Sequence, residues 1–107
     1  MSDILQVTDE NFSEALNAPF AIIEFWAPWC PGCKAAKPTI NRLAQDFKSQ
    51  VLIVGANIDE TSKETEKYGI ASIPTLVFFK DGKKFHQVDG TTPYRTLEKE
   101  IRTKFGL

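Results

Sequence analysis

Two cysteines, Cys30 and Cys33, are the only ones in the chain, and they sit in the segment Trp26-Ala27-Pro28-Trp29-Cys30-Pro31-Gly32-Cys33-Lys34. An apolar run ends just before them and a helical pattern begins just after, so this spacing predicts a dithiol at the junction of a strand and a helix. A thiolate at a helix start meets unsatisfied N–H groups and the positive end of the helix dipole. Both stabilise the anion and make it a nucleophile near neutral pH. The expected chemistry is therefore thiol–disulfide exchange. Cys30, capping the helix, should be the exposed thiolate that attacks. Cys33, one turn in, should be buried and resolve the mixed disulfide. Pro31 suits the first helical position, where no N–H donor is required. A purely structural disulfide closing so short a loop would contribute only about 2 kcal/mol on the chain-entropy account. A zinc site needs four ligands, and the chain offers no second C-x-x-C and a single histidine, His86, in a distant strand. No metal is expected.

Glu24 is the second chemically notable residue. It interrupts Ile22-Ile23-Glu24-Phe25-Trp26, whose near-continuous apolar pattern marks a strand covered on both faces. A carboxylate there is tolerated only if it is protonated or wetted. The other reading is an edge-strand carboxylate facing water. Trp26 reads as core, and Trp29, beside Cys30, as part of a contact surface. Pro74 on its own reads as a proline at a strand start. His86 reads as a surface histidine, and Lys83-Lys84 as a solvated turn.

The elements that must position these residues are legible in outline. Ile4–Val7 predicts a short strand, and Thr8 a cap for a helix from Asp9 to Asn17 that Pro19 closes. Phe20–Trp26 is the buried strand. A helix follows from Cys30 to Phe47, with an apolar stripe of Ala36, Ile40, Leu43, Ala44 and Phe47 and an internal Pro38 that should kink it. Val51–Ile58 predicts a second buried strand, and Ser62–Tyr68 a helix ended by Gly69. Thr75–Lys80 and Lys84–Val88 flank Asp81-Gly82, a hairpin signal. Thr92 as cap and Pro93 as first helical residue then open a last helix. Its buried stripe is Tyr94, Leu97, Ile101 and Phe105, and Glu98/Arg102 and Glu100/Lys104 form i,i+4 pairs on its wet side. Strands covered on both faces between helices imply an α/β protein, a mixed sheet with helices above and below.

Length and composition agree with a single domain over residues 1–107. A formal net charge of −1 offers no argument for nucleic acid or an anionic membrane. No basic and apolar leader opens the chain, and no apolar run approaches the ~20 residues of a membrane span. Two cysteines confined to one motif do not make the disulfide framework of a secreted mini-domain. A reducing, cytoplasmic compartment is expected.

The order of elements together with the motif resembles the thioredoxin family. Trp26-Ala27-Pro28-Trp29-Cys30 is similar to its W-A-x-W-C segment, and Lys34 and Pro38 fall where the family has Lys and a helix-kinking Pro. Tyr68-Gly69-Ile70-Ala71-Ser72-Ile73-Pro74-Thr75 resembles its Y-G-I-x-x-[IV]-P-T stretch, whose proline is cis; Phe79-Lys80-Asp81-Gly82 and Gly90 also match. The resemblance implies a thioredoxin fold, with a central mixed sheet of about five strands flanked by about four helices. It further implies a protein-disulfide reductase working through a reversible Cys30–Cys33 dithiol/disulfide, with Glu24 as proton acceptor for Cys33. Trp29, Pro31, Gly32, Ile73, Pro74 and Gly90 would form the docking surface, a substrate segment adding as a short strand beside Ile73. No bound organic cofactor is implied. Electrons would come from NADPH through a thioredoxin reductase, and the protein would act as a monomer in electron transport and redox homeostasis.

Four positions depart from the family pattern. Pro31-Gly32 reverses the usual Gly-Pro, Glu24 replaces a buried Asp, Gly55 stands where a Lys is often found beside that acid, and Asp89 replaces an apolar residue before Gly90. They bear on redox potential, proton transfer and the charge of the docking groove, not on reaction class. Pro directly after the first cysteine also occurs in glutaredoxins, but no basic cluster near the motif offers itself to the carboxylates of glutathione. A non-catalytic subunit using the same surface as a clamp is the reading from another class; replacing both cysteines by serine separates it from an oxidoreductase.

Overall fold

The structure is a computed structural model and describes residues 4–107. Its elements, in chain order, are β1 (Gln6–Val7), α1 (Phe12–Ala15), β2 (Phe20–Trp26), α2 (Pro31–Asp46), β3 (Leu52–Asn57), α3 (Ser62–Lys67), β4 (Thr75–Lys80), β5 (Lys83–Asp89) and α4 (Tyr94–Phe105). The strands form one five-stranded sheet in the order β1-β3-β2-β4-β5. β1, β3 and β2 run parallel; β4 is antiparallel to β2, and β5 to β4. This is the expected mixed α/β sheet.

The alternation of side chains along β2 divides the core in two. Ile22 packs with Ala36, Ile40, Leu43 and Phe47 of the α2 segment and with Leu97, Ile101 and Phe105 of α4. Ala21, Ile23 and Phe25 face the other way, into a cluster with Phe12 and Ala15 of α1, Val77 and Phe79, against which Tyr68 packs. Both faces of the central strand are thus covered, which explains its apolar run. Asp81 (φ 52°) and Gly82 (φ 80°) make the tight β4–β5 turn, as Asp-Gly predicted. Among the described residues no helix is long and apolar enough to cross a membrane.

Four expectations need correction. The first helix is a single turn, not Asp9–Asn17. Asn11 Oδ1 accepts the Thr8 N–H at 2.7 Å, and the Asp9 carboxylate accepts the N–H groups of Lys63 and Glu64 at 3.2 Å, so the segment before Phe12 is spent on a turn and on capping α3. In the last helix Pro93, with an extended ψ of 150°, is the cap rather than the first helical residue. The Thr92 hydroxyl is turned back onto the Gly90 carbonyl. His86 is half-buried, its ring edge-on to Phe78 and its Nε2 3.4 Å from Glu100 Oε2. Glu100 therefore faces β5, whereas Glu98 and Arg102 pair as predicted at 3.4 Å.

Candidate active site

The C-terminal end of β2, the start of α2, the start of β4 and the end of β5 lie at one end of the strands of the sheet. Cys30 occupies the cap position of α2 in an extended conformation (φ −95°, ψ 113°), followed by Pro31 in the first turn. Its Sγ accepts the Cys33 N–H at 3.2 Å, so sulfur takes the place of the usual capping oxygen. Its S–H points to the Ile73 carbonyl at 3.8 Å. Both cysteines are free thiols.

Cys30 is not exposed as expected. It is 6% exposed and Cys33 5%, because Cys30 packs with Ala27 and Cys33 under Ile73 and Trp26. Chemistry rather than access separates the two thiols. Burial pushes the Cys33 thiol up to about 12, and the hydrogen bond and charge of Cys30 and the charge of Glu24 add to this against the lowering bond to Ala27. At neutral pH Cys33 keeps its proton.

Glu24 is buried, as the strand pattern predicted, at 6% exposure. Burial raises its pKa from 4.5 to about 7, and its Oε2 makes no hydrogen bond among the described residues. Glu24 and Cys33 line the same cavity of about 350 Å³, with Gln6, Trp26, Lys37 and Asn41 around it. Across the sheet Glu24 is in register with Gly55, and Gly55 with Gln6. A Cβ on Gly55 would lie 2.5 Å from Gln6 Nε2, so the Gln6 amide fills the space that a side chain on β3 would take. Gln6 Oε1 in turn accepts the Trp26 indole N–H at 2.7 Å. Trp26 is accordingly half-buried and wall-forming rather than plain core.

The residues expected to dock substrate gather around the dithiol. Trp29 is 61% exposed, with its indole N–H on Asp59 Oδ2 at 3.1 Å. The Ile73–Pro74 peptide is cis. Ile73 lies beyond the end of the β2–β4 ladder, which stops at Thr75. Gly90, at φ 83°, donates its N–H to the Pro74 carbonyl at 2.7 Å. Pro31 is exposed and Gly32 half-buried; a Cβ on Gly32 would lie 3.3 Å from Thr91 Oγ1 and 3.5 Å from Pro74 Cδ. Asp89 is exposed at the end of β5, its Oδ1 accepting from Gln87 at 2.7 Å and Thr75 at 3.4 Å. Sequence reasoning did not single out Gln6, Asp59 or Thr91. Only Thr91 carried a signal, its place next to Gly90; the other two reach the site across the sheet from positions distant in the chain.

A sulfur that caps a helix start, a protonated partner thiol and a carboxyl titrating near 7 can together carry a disulfide exchange and its proton. Comparison with known proteins agrees. The family model described as Thioredoxin matches residues 3–103. The chain is 39% identical to Thioredoxin 1 of Nostoc sp. over 94% of this chain and 96% of that one. It is 41% identical to Thioredoxin 1 of Synechococcus elongatus, over 91% and 92% respectively. Thioredoxin of Porphyra purpurea is 37% identical over 92% of this chain and 94% of its own. A match of this length and identity, around a dithiol on a helix start, shows that the chain belongs to the thioredoxin family of thiol–disulfide oxidoreductases.

Proposed function

We propose that the protein reduces disulfides of other proteins, with Cys30 attacking, Cys33 resolving and Glu24 moving the proton. The Cys30 thiolate attacks one sulfur of the substrate disulfide. A Cys30–substrate bond forms as the substrate S–S bond breaks, and the released thiolate takes a proton. Cys33 then gives its proton to the Glu24 carboxylate across the cavity that both line. Its sulfur attacks Cys30 Sγ, the second substrate thiol leaves, and the chain holds a Cys30–Cys33 disulfide. Two electrons have passed from the dithiol to the substrate. NADPH, through a thioredoxin reductase, returns them.

The substrate segment lies against Trp29, Pro31, Gly32, Ile73, Pro74 and Gly90. The backbone of Ile73 pairs with an extended substrate chain, a sequence-tolerant mode of recognition; in support, Ile73 lies beyond the end of the β2–β4 ladder. The protein works as a single domain and monomer in a reducing cytoplasm, and it needs neither bound cofactor nor metal. The observation that carries this reading is the inequality of the thiols: Cys30 receives the helix-start N–H, while Cys33 holds its proton beside a carboxyl of pKa about 7. Turnover of a protein disulfide with NADPH and thioredoxin reductase tests it. The parent should turn over, and Cys30→Ser should show none. Turnover that survives Cys30→Ser defeats the assignment.

A further inference from the structure

The reversed order Pro31-Gly32 leaves a residue without a side chain in the first turn of α2, and a hydroxyl from another part of the chain uses the opening. Thr91 Oγ1 donates to the Gly32 carbonyl at 3.2 Å. That carbonyl belongs to the same peptide unit as the Cys33 N–H, which donates to Cys30 Sγ at 3.2 Å. The Thr91 hydroxyl, the Gly32–Cys33 peptide and the Cys30 sulfur are therefore linked in series. A donor on the oxygen of an amide polarises it and strengthens the bond made by its N–H. Gly32 eases the approach, because a Cβ there would lie 3.3 Å from Thr91 Oγ1, a distance at which the hydroxyl must give by a few tenths of an ångström. Gly90 N–H, fixed to the Pro74 carbonyl at 2.7 Å, holds the loop that carries Thr91 against the site.

We infer that Thr91 is a positioning residue for the exchange reaction, acting through the Gly32–Cys33 peptide to stabilise the Cys30 thiolate. The inference rests on the reading of Cys30 as the attacking sulfur. Thr91 is exposed in the free protein, where water competes for the same carbonyl. A substrate segment laid along Ile73–Pro74 and Gly90 covers this corner and removes the competing water, so the bond counts most while Cys30 is still a thiolate, before the mixed disulfide forms.

Thr91→Val keeps the shape and removes the donor; Thr91→Ser keeps the donor and removes the methyl. Strengthening one charge-assisted hydrogen bond by a tenth to a third changes the equilibrium constant for forming the Cys30 thiolate by about 1.3- to fivefold, with two- to threefold in the middle of that range. Nucleophilicity rises as thiolate stability falls and offsets part of this, so iodoacetamide labelling of Cys30 at pH 7 should slow about twofold in Thr91→Val. The equilibrium constant for reduction of the Cys30–Cys33 disulfide by glutathione should fall by roughly two- to threefold, because the reduced state loses stabilisation. Thr91→Ser should restore both. Gly32→Ala moves the hydroxyl by a few tenths of an ångström without removing it, and should shift labelling and equilibrium in the same direction as Thr91→Val by a smaller amount. Labelling and equilibrium unchanged in Thr91→Val, or a Ser variant that behaves as Val does, overturns the inference. Failure of the reading beneath it has another signature: a parent protein that labels at Cys30 but turns over no protein disulfide.

Discussion

The two sulfurs are hidden to the same degree, 6% and 5%, so access does not choose the nucleophile. What each sulfur is bonded to does. Cys30 accepts an N–H at the start of α2, whereas burial and the neighbouring Cys30 and Glu24 keep Cys33 protonated well past neutrality. At pH 7 iodoacetamide should therefore label Cys30 first, with peptide mapping as the readout. Equal labelling, or Cys33 first, would contradict this. The same inequality predicts that Cys33→Ser accumulates mixed disulfides with substrate, since nothing resolves them, and that Cys30→Ser accumulates none. The spacing of the cysteines was enough to place both sulfurs at the start of α2, where the structure has them. It did not reveal the burial of Cys30, because the group that its S–H meets, the Ile73 carbonyl, is supplied from another loop.

At the scale of elements, legibility followed the range of the interactions. α2, β2, β4 and the β4–β5 turn came out close to their predicted bounds because apolar period and turn chemistry are local. The first helix came out too long because Asp9 caps α3, a contact that no local pattern announces. His86 was misread for the same reason: Glu100 reaches it only once α4 packs on β5. Gly55 on β3 belongs here too. Its missing side chain makes room for the Gln6 amide of β1, which holds Trp26 beside the cavity. Gly55→Ala should push that amide aside and break the Trp26 bond, a loss of about 1 kcal/mol that the roughly 0.5 kcal/mol gained by replacing a strand glycine reduces to a net cost of about 0.5 kcal/mol. In a Gln6→Ala background the collision is gone, and the same change should stabilise by about 0.5 kcal/mol, as expected for replacing glycine inside a strand. Denaturant unfolding of the four proteins reads the cycle. An effect of equal sign in both backgrounds would show that Gln6 does not occupy the space.

For the whole molecule, the covered sheet that makes the fold stable also sets the state of the buried Glu24 carboxyl. Both helical layers were implied by the apolar run of β2, and so was the burial of Glu24. The cavity beside it was not, since it arises from Gln6, Trp26 and α2 meeting in space. Glu24 has a folded pKa of about 7 against 4.5 in its absence, burial being the cause. Below pH 4.5 both folded and unfolded chains hold the proton, and the group is neutral to stability. Between 4.5 and about 7 the unfolded chain has released its proton and the native chain has not, so stability falls as pH rises. Above about 7 both are ionised and the loss levels off. The full loss amounts to roughly 3 kcal/mol. Glu24→Leu removes it and places an apolar side chain near Ile40, which lines the same cavity. Other carboxylates titrate equally in both proteins and cancel in the difference. The stability of Glu24→Leu relative to the parent should therefore rise by roughly 3 kcal/mol between pH 4 and pH 8, with most of the rise between 4.5 and 7. On the role proposed for Glu24 as proton acceptor of Cys33, disulfide turnover should also slow in the same variant. Urea unfolding of the pair at several pH values decides it. A difference that stays constant across the range would mean that Glu24 is solvated in the folded protein, and a constant difference with unchanged turnover would remove it from the reaction altogether.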